Sequence, residues 1–250
     1  SYQILQGMDF LELYRRYDCV LQTGGSDQWG NLTSGTDLIH RVEGTSVHAI
    51  GTPLITNSDG TKFGKSAGNA IWLDPAMCSP YAFYQFWLNS DDADVATRLK
   101  VFTFLTRTEI EALEQKIADE PFRREAQRRL AWEVTAFVHG ADAASAAIAA
   151  SQALFGQGEL ASLDADTLAA ALRELPNITV PSGITVAQAL VDTGLCASLG
   201  EARRAVAQGG VSLDNEKVAD EASIITGTLP GGVSVLRRGK KTLAGIFIEG

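Results

Sequence analysis

A short apolar segment that leads directly into a glycine-rich polar turn is the feature that most restricts the fold of this chain. Residues 19–23, CVLQT, are expected to form a buried strand. Residues 24–31 follow as GGSDQWGN, and a helical pattern then continues to about Val42. Strand, glycine-rich turn and helix in this order is the unit with which open α/β sheets bind ligands at the carboxyl ends of their strands. The turn matches neither common phosphate-binding glycine pattern, so a generic βα loop stays open as an alternative.

The neighbouring segments extend the α/β pattern. Residues 2–17 have apolar residues at helical spacing, and residues 47–55 are expected to form a further strand or strand end. In the helix, Tyr2, Gln6 and Asp9 stand at i, i+4 and i+7 and therefore share one face. That face is either a solvated polar surface or a polar stripe directed into a ligand site.

Two lysines three residues apart occupy the loop that comes next. Residues 59–66 read DGTKFGKS, which places Lys62 and Lys65 in a Gly- and Ser-containing segment. Lysine carries a compact positive charge on a flexible side chain, and glycine lets the backbone approach a ligand closely. The loop is a candidate clamp for polyphosphate, with an ordinary solvated turn as the alternative.

These three segments together carry a family resemblance. SYQILQGMDF, LQTGGSDQWGN and DGTKFGKS, in this order and spacing, closely resemble bacterial tyrosyl-tRNA synthetases, which are class I aminoacyl-tRNA synthetases. KFGKS resembles the KMSKS loop of that class, with Phe63 and Gly64 replacing Met and Ser. The resemblance covers essentially the whole chain. It implies a cytoplasmic, homodimeric tyrosine–tRNA ligase that activates tyrosine with ATP and Mg²⁺, releases pyrophosphate, and transfers tyrosine to the 3′ end of tRNA(Tyr).

The resemblance also implies residue roles at the matching positions. The substrate tyrosine would be bound by Tyr2, Gln6, Asp9 and Gln22, with Asp9 accepting a hydrogen bond from the phenolic hydroxyl. The ATP and adenylate would be held by Gly25, Asp27, Gln28 and Lys65. Catalytic stabilisation of the pyrophosphate leaving group would come from Lys62, Lys65 and Ser66.

One family signature is absent. No His-x-Gly-His segment, which binds ATP in the family, occurs in the sequence, and its three histidines, at positions 40, 48 and 139, stand in other contexts. The resemblance places that signature in the first half of the nucleotide-binding domain, so the chain is expected to lack that N-terminal part. We therefore expect that residues 1–250 alone do not activate tyrosine.

Composition sets the remaining limits. The chain has 250 residues, 45% of them hydrophobic, enough for more than one domain, and no run is apolar and long enough to span a membrane. Its three cysteines fit no disulfide or metal pattern, which is consistent with a reducing cytoplasm, and no tightly bound metal is expected.

The predicted fold is the distal part of a Rossmann-like catalytic domain, then a helical domain, then a small α+β RNA-binding domain of ribosomal-protein type. The boundaries are 1–70 for the catalytic part with the KFGKS loop, 71–155 for a helical anticodon-binding domain, 156–182 for a linker and 183–250 for the RNA-binding domain. Ser79 before Pro80, and Thr106 before Glu109, are predicted helix starts. A basic stripe in the helical region is either a solvated, acid-paired face or an RNA surface; it comprises Arg123, Arg124, Arg128 and Arg129.

The C-terminal segment differs in charge from the rest. Residues 183–250 contain seven Lys and Arg and seven Asp and Glu, so residues 1–182 hold the whole net charge of −9. The segment resembles the small RNA-binding domain that ends bacterial tyrosyl-tRNA synthetases. Clustered cations repel one another unless an anion lies near, which favours RNA phosphate over a merely solubilising turn. The candidate phosphate contacts are Arg203, Arg204, Arg237, Arg238, Lys240 and Lys241.

Two other functions remain open. A tryptophan-type class I synthetase would share the catalytic segments, but Asp9 suits a phenol and the terminal RNA domain favours tyrosine. A non-catalytic RNA-binding fragment would use residues 183–250 alone and would respond to neither tyrosine nor ATP.

Overall fold

The computed structural model describes residues 2–61, 63, 71–155, 158–239 and 242–249. Lys62, Lys65, Ser66, Lys240 and Lys241, for which roles are predicted above, lie outside these described residues. The chain divides into two compact units, Ser1–Ala70 and Ile71–Gly250.

The first unit is a small α/β arrangement. Its elements are α1 (Tyr2–Tyr17), β1 (Leu21–Gly25), α2 (Trp29–Glu43) and β2 (His48–Thr52). The two strands are parallel, with Leu21 opposite His48 and Gly25 opposite Thr52, and α2 forms the crossover between them. The helix predicted over residues 2–17 is confirmed. The strand predicted to begin at Cys19 begins two residues later, and its residues are exposed or half-buried, so the expectation of a buried strand is wrong.

Helices α1 and α2 pack closely because both present glycine at the contact. Phe10 and Ile39 are fully buried there. A Cβ on Gly35 would lie 2.9 Å from Cδ1 of Phe10, and one on Gly7 would lie 3.4 Å from Oγ of Ser34. Only glycine at position 35 therefore lets the Phe10 ring lie against the α2 backbone.

The second unit begins with a layer of helices. They are α3 (Pro80–Leu88), α4 (Asp92–Phe102), α5 (Arg107–Asp119), α6 (Glu125–His139) and α7 (Ala141–Leu154). Both predicted helix starts are confirmed: Ser79 Oγ accepts from Ala82 N at 3.1 Å, and Thr106 and Glu109 form a reciprocal capping box. Aromatic residues of α3 contribute to the core, since Phe83 is fully buried and Trp87 nearly so.

A mixed sheet with three helices completes the second unit. Its elements are α8 (Ala165–Arg173), β3 (Asn177–Pro181), α9 (Val186–Asp192), α10 (Leu199–Ala207), β4 (Val211–Leu213), β5 (Glu216–Lys217), β6 (Val233–Arg238) and β7 (Thr242–Glu249). The strand order is β3-β7-β6-β4-β5; β3 runs parallel to β7 and the other pairs are antiparallel. The core of this sheet is built around Leu190, Ile225, Leu236 and Ile246.

Residues 156–182, expected as a linker, contain a strand in addition to α8. Ile178 and Val180 alternate toward the core of the sheet, and Asn177 stands opposite Gly245 of β7. Pro181 lies on an edge strand, where a missing backbone N–H leaves no central ladder bond unmade. Pro176 therefore precedes an edge strand, and Pro181 ends it.

Across the described residues, the structure contains no helix that is both long and apolar enough to cross a membrane.

Candidate functional site

The carboxyl ends of β1 and β2 meet at one edge of the first unit, and the predicted glycine turn leaves from there. Gly25 ends β1, a 3-10 turn spans Ser26–Gln28, and α2 follows at once. Thr52 at the end of β2 donates through Oγ1 to the carbonyl of Gly24 at 3.2 Å. The structure thus joins the strand ends that the sequence predicts as a ligand-binding edge.

The backbone of Gly25 lies directly beneath the ends of two neighbouring side chains. A Cβ there would lie 2.7 Å from Oδ1 of Asp27 and 3.1 Å from Cδ2 of Leu54. The exposed Asp27 carboxylate therefore folds back over the bare backbone of Gly25, and these two predicted adenylate residues form one small cradle.

Two polar residues without a predicted role organise this turn. Asn31 donates through Nδ2 to Oε1 of Gln28 at 2.7 Å, which fixes the half-buried Gln28 amide. Gln3 donates through Nε2 to the carbonyl of Gly30 at 2.7 Å and ties the start of α1 to the first turn of α2. The i, i+3 spacing of Gln28 and Asn31 was a signal for the first contact; the second joins distant segments and has no local signal.

The predicted tyrosine-binding residues lie on α1 and β1. Helix α1 places Tyr2, Gln6 and Asp9 on one face, with Tyr2 71% exposed, Asp9 exposed and Gln6 half-buried. Gln22 projects from β1 toward the packing of α1 and α2, where its Oε1 would lie 3.6 Å from a Cβ on Gly35. That Oε1 atom is buried and has no hydrogen-bond partner among the described residues. An unpaired buried acceptor is costly, so Gln22 is a candidate to receive a donor from a ligand.

A hydrogen-bonded turn stands immediately before the first predicted catalytic lysine. Thr61 donates to Asp59 Oδ1 from its backbone N at 2.9 Å and from Oγ1 at 2.6 Å. These bonds lower the pKa of Asp59. Gly60 has a φ of 82° and donates to the carbonyl of Asn57 at 2.9 Å. The backbone entering the lysine segment is therefore held in a closed turn.

The predicted RNA contacts of the C-terminal segment fall into two groups. Arg203 and Arg204 are exposed on α10; Arg203 is 4.0 Å from Glu221, and the described residues offer Arg204 no hydrogen-bond or ion-pair partner. Arg238 instead binds Glu201 at 2.7 Å and the carbonyl of Leu195. Arg237 Nη2 donates at 2.7 Å to both the carbonyl of Leu154 and Oδ1 of Asn215. The sequence could not separate exposed from engaged arginines, because the engaging groups are distant in the chain.

Three members of the basic stripe of the helical region are likewise engaged. Arg123 is 3.2 Å from Glu120, Arg129 is 2.6 Å from Glu133, and Arg124 donates to the carbonyl of Leu88 at 2.8 Å. Arg128 lines a cavity of about 260 Å³. The other residues of its wall are Tyr84, Leu88, Ile148, Ser151, Gln152 and Phe155.

The histidines offer no cation site in the part of the chain that the structure describes. His139 packs edge-on to Phe83 with ring centroids 4.8 Å apart, and burial lowers its pKa. Within the described ranges, no three His, Cys, Asp or Glu side chains are grouped so that they could hold a metal ion.

Two known protein families match successive parts of this chain. The family described as tRNA synthetases class I (W and Y) matches residues 1–156, which is more than half of the chain. This chain belongs to the class I tRNA synthetase family. A second family, described as the tyrosine–tRNA ligase SYY-like C-terminal domain, matches residues 167–245. The predicted fold class, a synthetase catalytic region followed by a C-terminal domain of tyrosine–tRNA ligases, is confirmed.

Individual proteins that are similar to this chain are named tyrosine–tRNA ligase or tyrosyl-tRNA synthetase. The tyrosine–tRNA ligase of Leifsonia xyli subsp. xyli is 72% identical over 100% of this chain and 57% of its own length. That of Streptomyces avermitilis is 59% identical over 100% of this chain and 60% of its own length. A C-terminally truncated mitochondrial tyrosyl-tRNA synthetase of Coccidioides posadasii matches in structure with a TM-score of 0.50 and 34% identity, over 58% of this chain and 42% of that one. The chain therefore spans less than two thirds of the length of the relatives that it matches.

Proposed function

We propose that the protein carrying this chain is a tyrosine–tRNA ligase, which forms tyrosyl-adenylate and pyrophosphate from tyrosine and ATP and then transfers tyrosine to tRNA(Tyr). The observation that carries the proposal is the strand-end edge at which the Gly25–Gln28 turn meets the segment leading to Lys62, in a chain 72% identical to a protein of that name. The C-terminal family match favours this reaction over the tryptophan-type alternative.

In this proposal the tyrosine side chain is recognised by α1 and β1. Asp9 accepts the phenolic hydroxyl, while Tyr2 and Gln6, on the same helix face, contact the amino end of the substrate. Gln22 supplies a buried oxygen that a substrate donor would satisfy. Phenylalanine would leave the Asp9 carboxylate without its donor, and that loss disfavours phenylalanine relative to tyrosine.

The nucleotide is proposed to lie over the glycine turn. Gly25 offers backbone without a side chain, and Asp27 and Gln28 offer polar groups at the start of a 15-residue helix. The substrate carboxylate attacks the α-phosphorus of ATP and pyrophosphate leaves, so the site must position both reactants and stabilise negative charge. Lys62, Lys65 and Ser66 are proposed to do so, with Mg²⁺ accompanying ATP as a cosubstrate ion.

The RNA is proposed to bind the second unit. Residues 71–155 would act as the anticodon-binding helical domain, 156–182 as the linker and 183–250 as the RNA-binding domain, in a cytoplasmic homodimer. Arg203 and Arg204 support this proposal best, because both are exposed: the ion pair of Arg203 with Glu221 is long, at 4.0 Å, and the Arg203 side chain is 64% exposed. Arg128, which lines a cavity, is a further candidate in the helical region.

The test is tyrosine-dependent ATP–pyrophosphate exchange by the protein that carries this chain, with phenylalanine and tryptophan as competitors. Asp9→Asn keeps the size of the side chain but removes the negative charge that the phenol meets. We expect exchange with tyrosine alone in the wild type, and in Asp9→Asn roughly tenfold or greater loss of discrimination against phenylalanine. Asp37→Asn is the matched control, because Asp37 lies on the surface of α2 and pairs with Arg41 at 2.9 Å.

If Asp9→Asn and Asp37→Asn lost discrimination against phenylalanine to the same degree, the proposed role of Asp9 would be contradicted. Exchange with none of the three amino acids, with RNA binding retained, would instead favour the non-catalytic RNA-binding alternative.

A further inference from the structure

Two side chains from the C-terminal sheet cap the end of helix α7. The last carbonyls of a helix have no partner within it. The carbonyl of Leu154 accepts from Arg237 Nη2 at 2.7 Å, and that of Ala153 accepts from Asn215 Nδ2 at 3.4 Å. These partners are 83 and 62 residues away along the chain, so the contacts join the helical layer to the sheet. A guanidinium also complements the negative end of the helix dipole.

The two capping side chains are hydrogen-bonded to each other, and the turn that carries Asn215 is hydrogen-bonded to the sheet. Arg237 Nη2 also donates to Oδ1 of Asn215 at 2.7 Å. Asn215 and Asp214 have φ angles of 69° and 52°, the conformation of a tight hairpin turn between β4 and β5. Asp214 fixes this turn by accepting from the backbone N of Val235 at 2.7 Å. The amide of Asn215 is thereby held where it can reach α7.

The same contacts leave Arg237 poorly placed to bind a phosphate. A forked phosphate contact uses two neighbouring N–H groups of the guanidinium. Here Nη2 is already shared between two acceptors, and Nε is buried without a hydrogen-bond partner among the described residues. Arg203, by contrast, has a side chain that is 64% exposed.

A second contact joins the layers at a different place. Helix α8 packs against α3 and α7 and also against β7. Leu172 is buried there, and a Cβ on Gly245 of β7 would lie only 2.8 Å from Cβ of Leu172. If α8 alone joined the two layers, the sheet could rotate about the contact between α8 and β7. A second attachment, at the end of α7, restricts that rotation and so fixes the orientation of the sheet.

We propose that Asn215 and Arg237, bound to the carbonyls of Ala153 and Leu154, form a latch that sets the orientation of the C-terminal sheet on the helical layer. The latch determines the direction in which Arg203 and Arg204 face an RNA, a consequence that rests on the proposed function. In this proposal Arg237 is a positioning residue and not a phosphate contact.

The experiment compares Asn215→Gly, Arg237→Ala and the charge-matched control Arg203→Ala in the full protein. Glycine keeps the turn, because it adopts positive φ freely, and removes only the amide of the latch. Hydrogen exchange should speed up in the last turn of α7 for both latch variants and stay unchanged in the control. Both latch variants should weaken tRNA binding roughly threefold to tenfold with an unchanged salt slope. The control should lower that slope by about one.

The latch proposal is overturned if Asn215→Gly matches the wild type both in hydrogen exchange at the end of α7 and in tRNA affinity. A salt slope lowered by Arg237→Ala as much as by the control would make Arg237 a phosphate contact instead. If Arg237→Ala fails to fold, Asn215→Gly still decides the question. If the wild type binds no tRNA, the proposed function fails, while exchange at the end of α7 still tests the latch.

Discussion

At the scale of single residues, Asp214 shows how one carboxylate holds a turn at an electrostatic cost. Its oxygens accept from the backbone N of Val235 at 2.7 Å, Oγ1 of Thr228 at 3.0 Å and Oγ of Ser234 at 3.1 Å. Burial outweighs these bonds and raises the pKa of Asp214 above its ordinary value of 3.8. The folded state therefore binds the Asp214 proton more tightly than the unfolded state does.

This shift fixes the sign of a pH dependence. The contribution of Asp214 to stability is full below pH 3.8 and is lost as pH rises through its raised pKa. Asp214→Asn lacks the titration, keeps an acceptor for Val235 and tolerates the φ of 52°. We expect the free energy of unfolding of the wild type to fall relative to this variant as pH rises from about 4 to 7. Denaturant titrations followed by circular dichroism at each pH would measure the difference.

Asp214→Ala separates the charge from the hydrogen bonds. It removes all three acceptor contacts and the side chain that eases positive φ, so we expect it to destabilise at every pH by at least about 2 kcal/mol. A wild type that gains stability over Asp214→Asn with rising pH would contradict the assigned direction of the pKa shift.

At the scale of elements, the packing of α8 on β7 depends on one glycine. A Cβ on Gly245 would lie 2.8 Å from Cβ of Leu172 and 3.1 Å from its carbonyl oxygen, so strand or helix must move to admit it. We expect Gly245→Ala to destabilise the second unit by about 1–3 kcal/mol. Gly200→Ala is the matched control, since a Cβ there lies in ordinary contact, 3.7 Å from Nη1 of Arg204, on a helix that favours alanine. Equal urea midpoints for the two variants would show that α8 and β7 separate without cost.

Elements with a local signal were predictable from the sequence, and those fixed by distant partners were not. The helix start at Thr106 follows from residue types at fixed offsets, and the structure confirms it with a capping box. The turn at Asp214-Asn215 has a similar local signal, because Asn and Asp tolerate positive φ. Strand β3 was missed because its pairing with β7 joins residues 68 positions apart, such as Asn177 and Gly245. For the same reason the hydrogen bond of Arg237 could not be predicted. The sequence shows a cation, but the carbonyl of Leu154 that accepts from it belongs to another layer.

At the scale of the whole molecule, the proposed chemistry and the proposed RNA contacts belong to different compact units. The candidate tyrosine and ATP residues lie in Ser1–Ala70, and the candidate phosphate contacts lie in Ile71–Gly250. Charge does not follow this division: the net −9 lies within residues 1–182, which include the helical part of the second unit, and residues 183–250 are neutral. An acidic remainder repels RNA elsewhere on the surface, so binding should depend strongly on the few exposed cations.

This division predicts that the two activities respond to different substitutions. Arg203→Ala with Arg204→Ala should weaken tRNA binding and lower its salt slope by about two, because two phosphate contacts are lost. Lys62→Ala with Lys65→Ala should slow tyrosine-dependent ATP–pyrophosphate exchange at least about a hundredfold, since charge stabilisation of the leaving pyrophosphate is lost. Exchange requires no RNA, so the arginine pair should leave it intact, and the lysine pair should leave the salt slope of tRNA binding intact. If each pair impaired both measurements to the same degree, the sites would not be separable, and the assignment of charge stabilisation to one unit and phosphate contact to the other would fall.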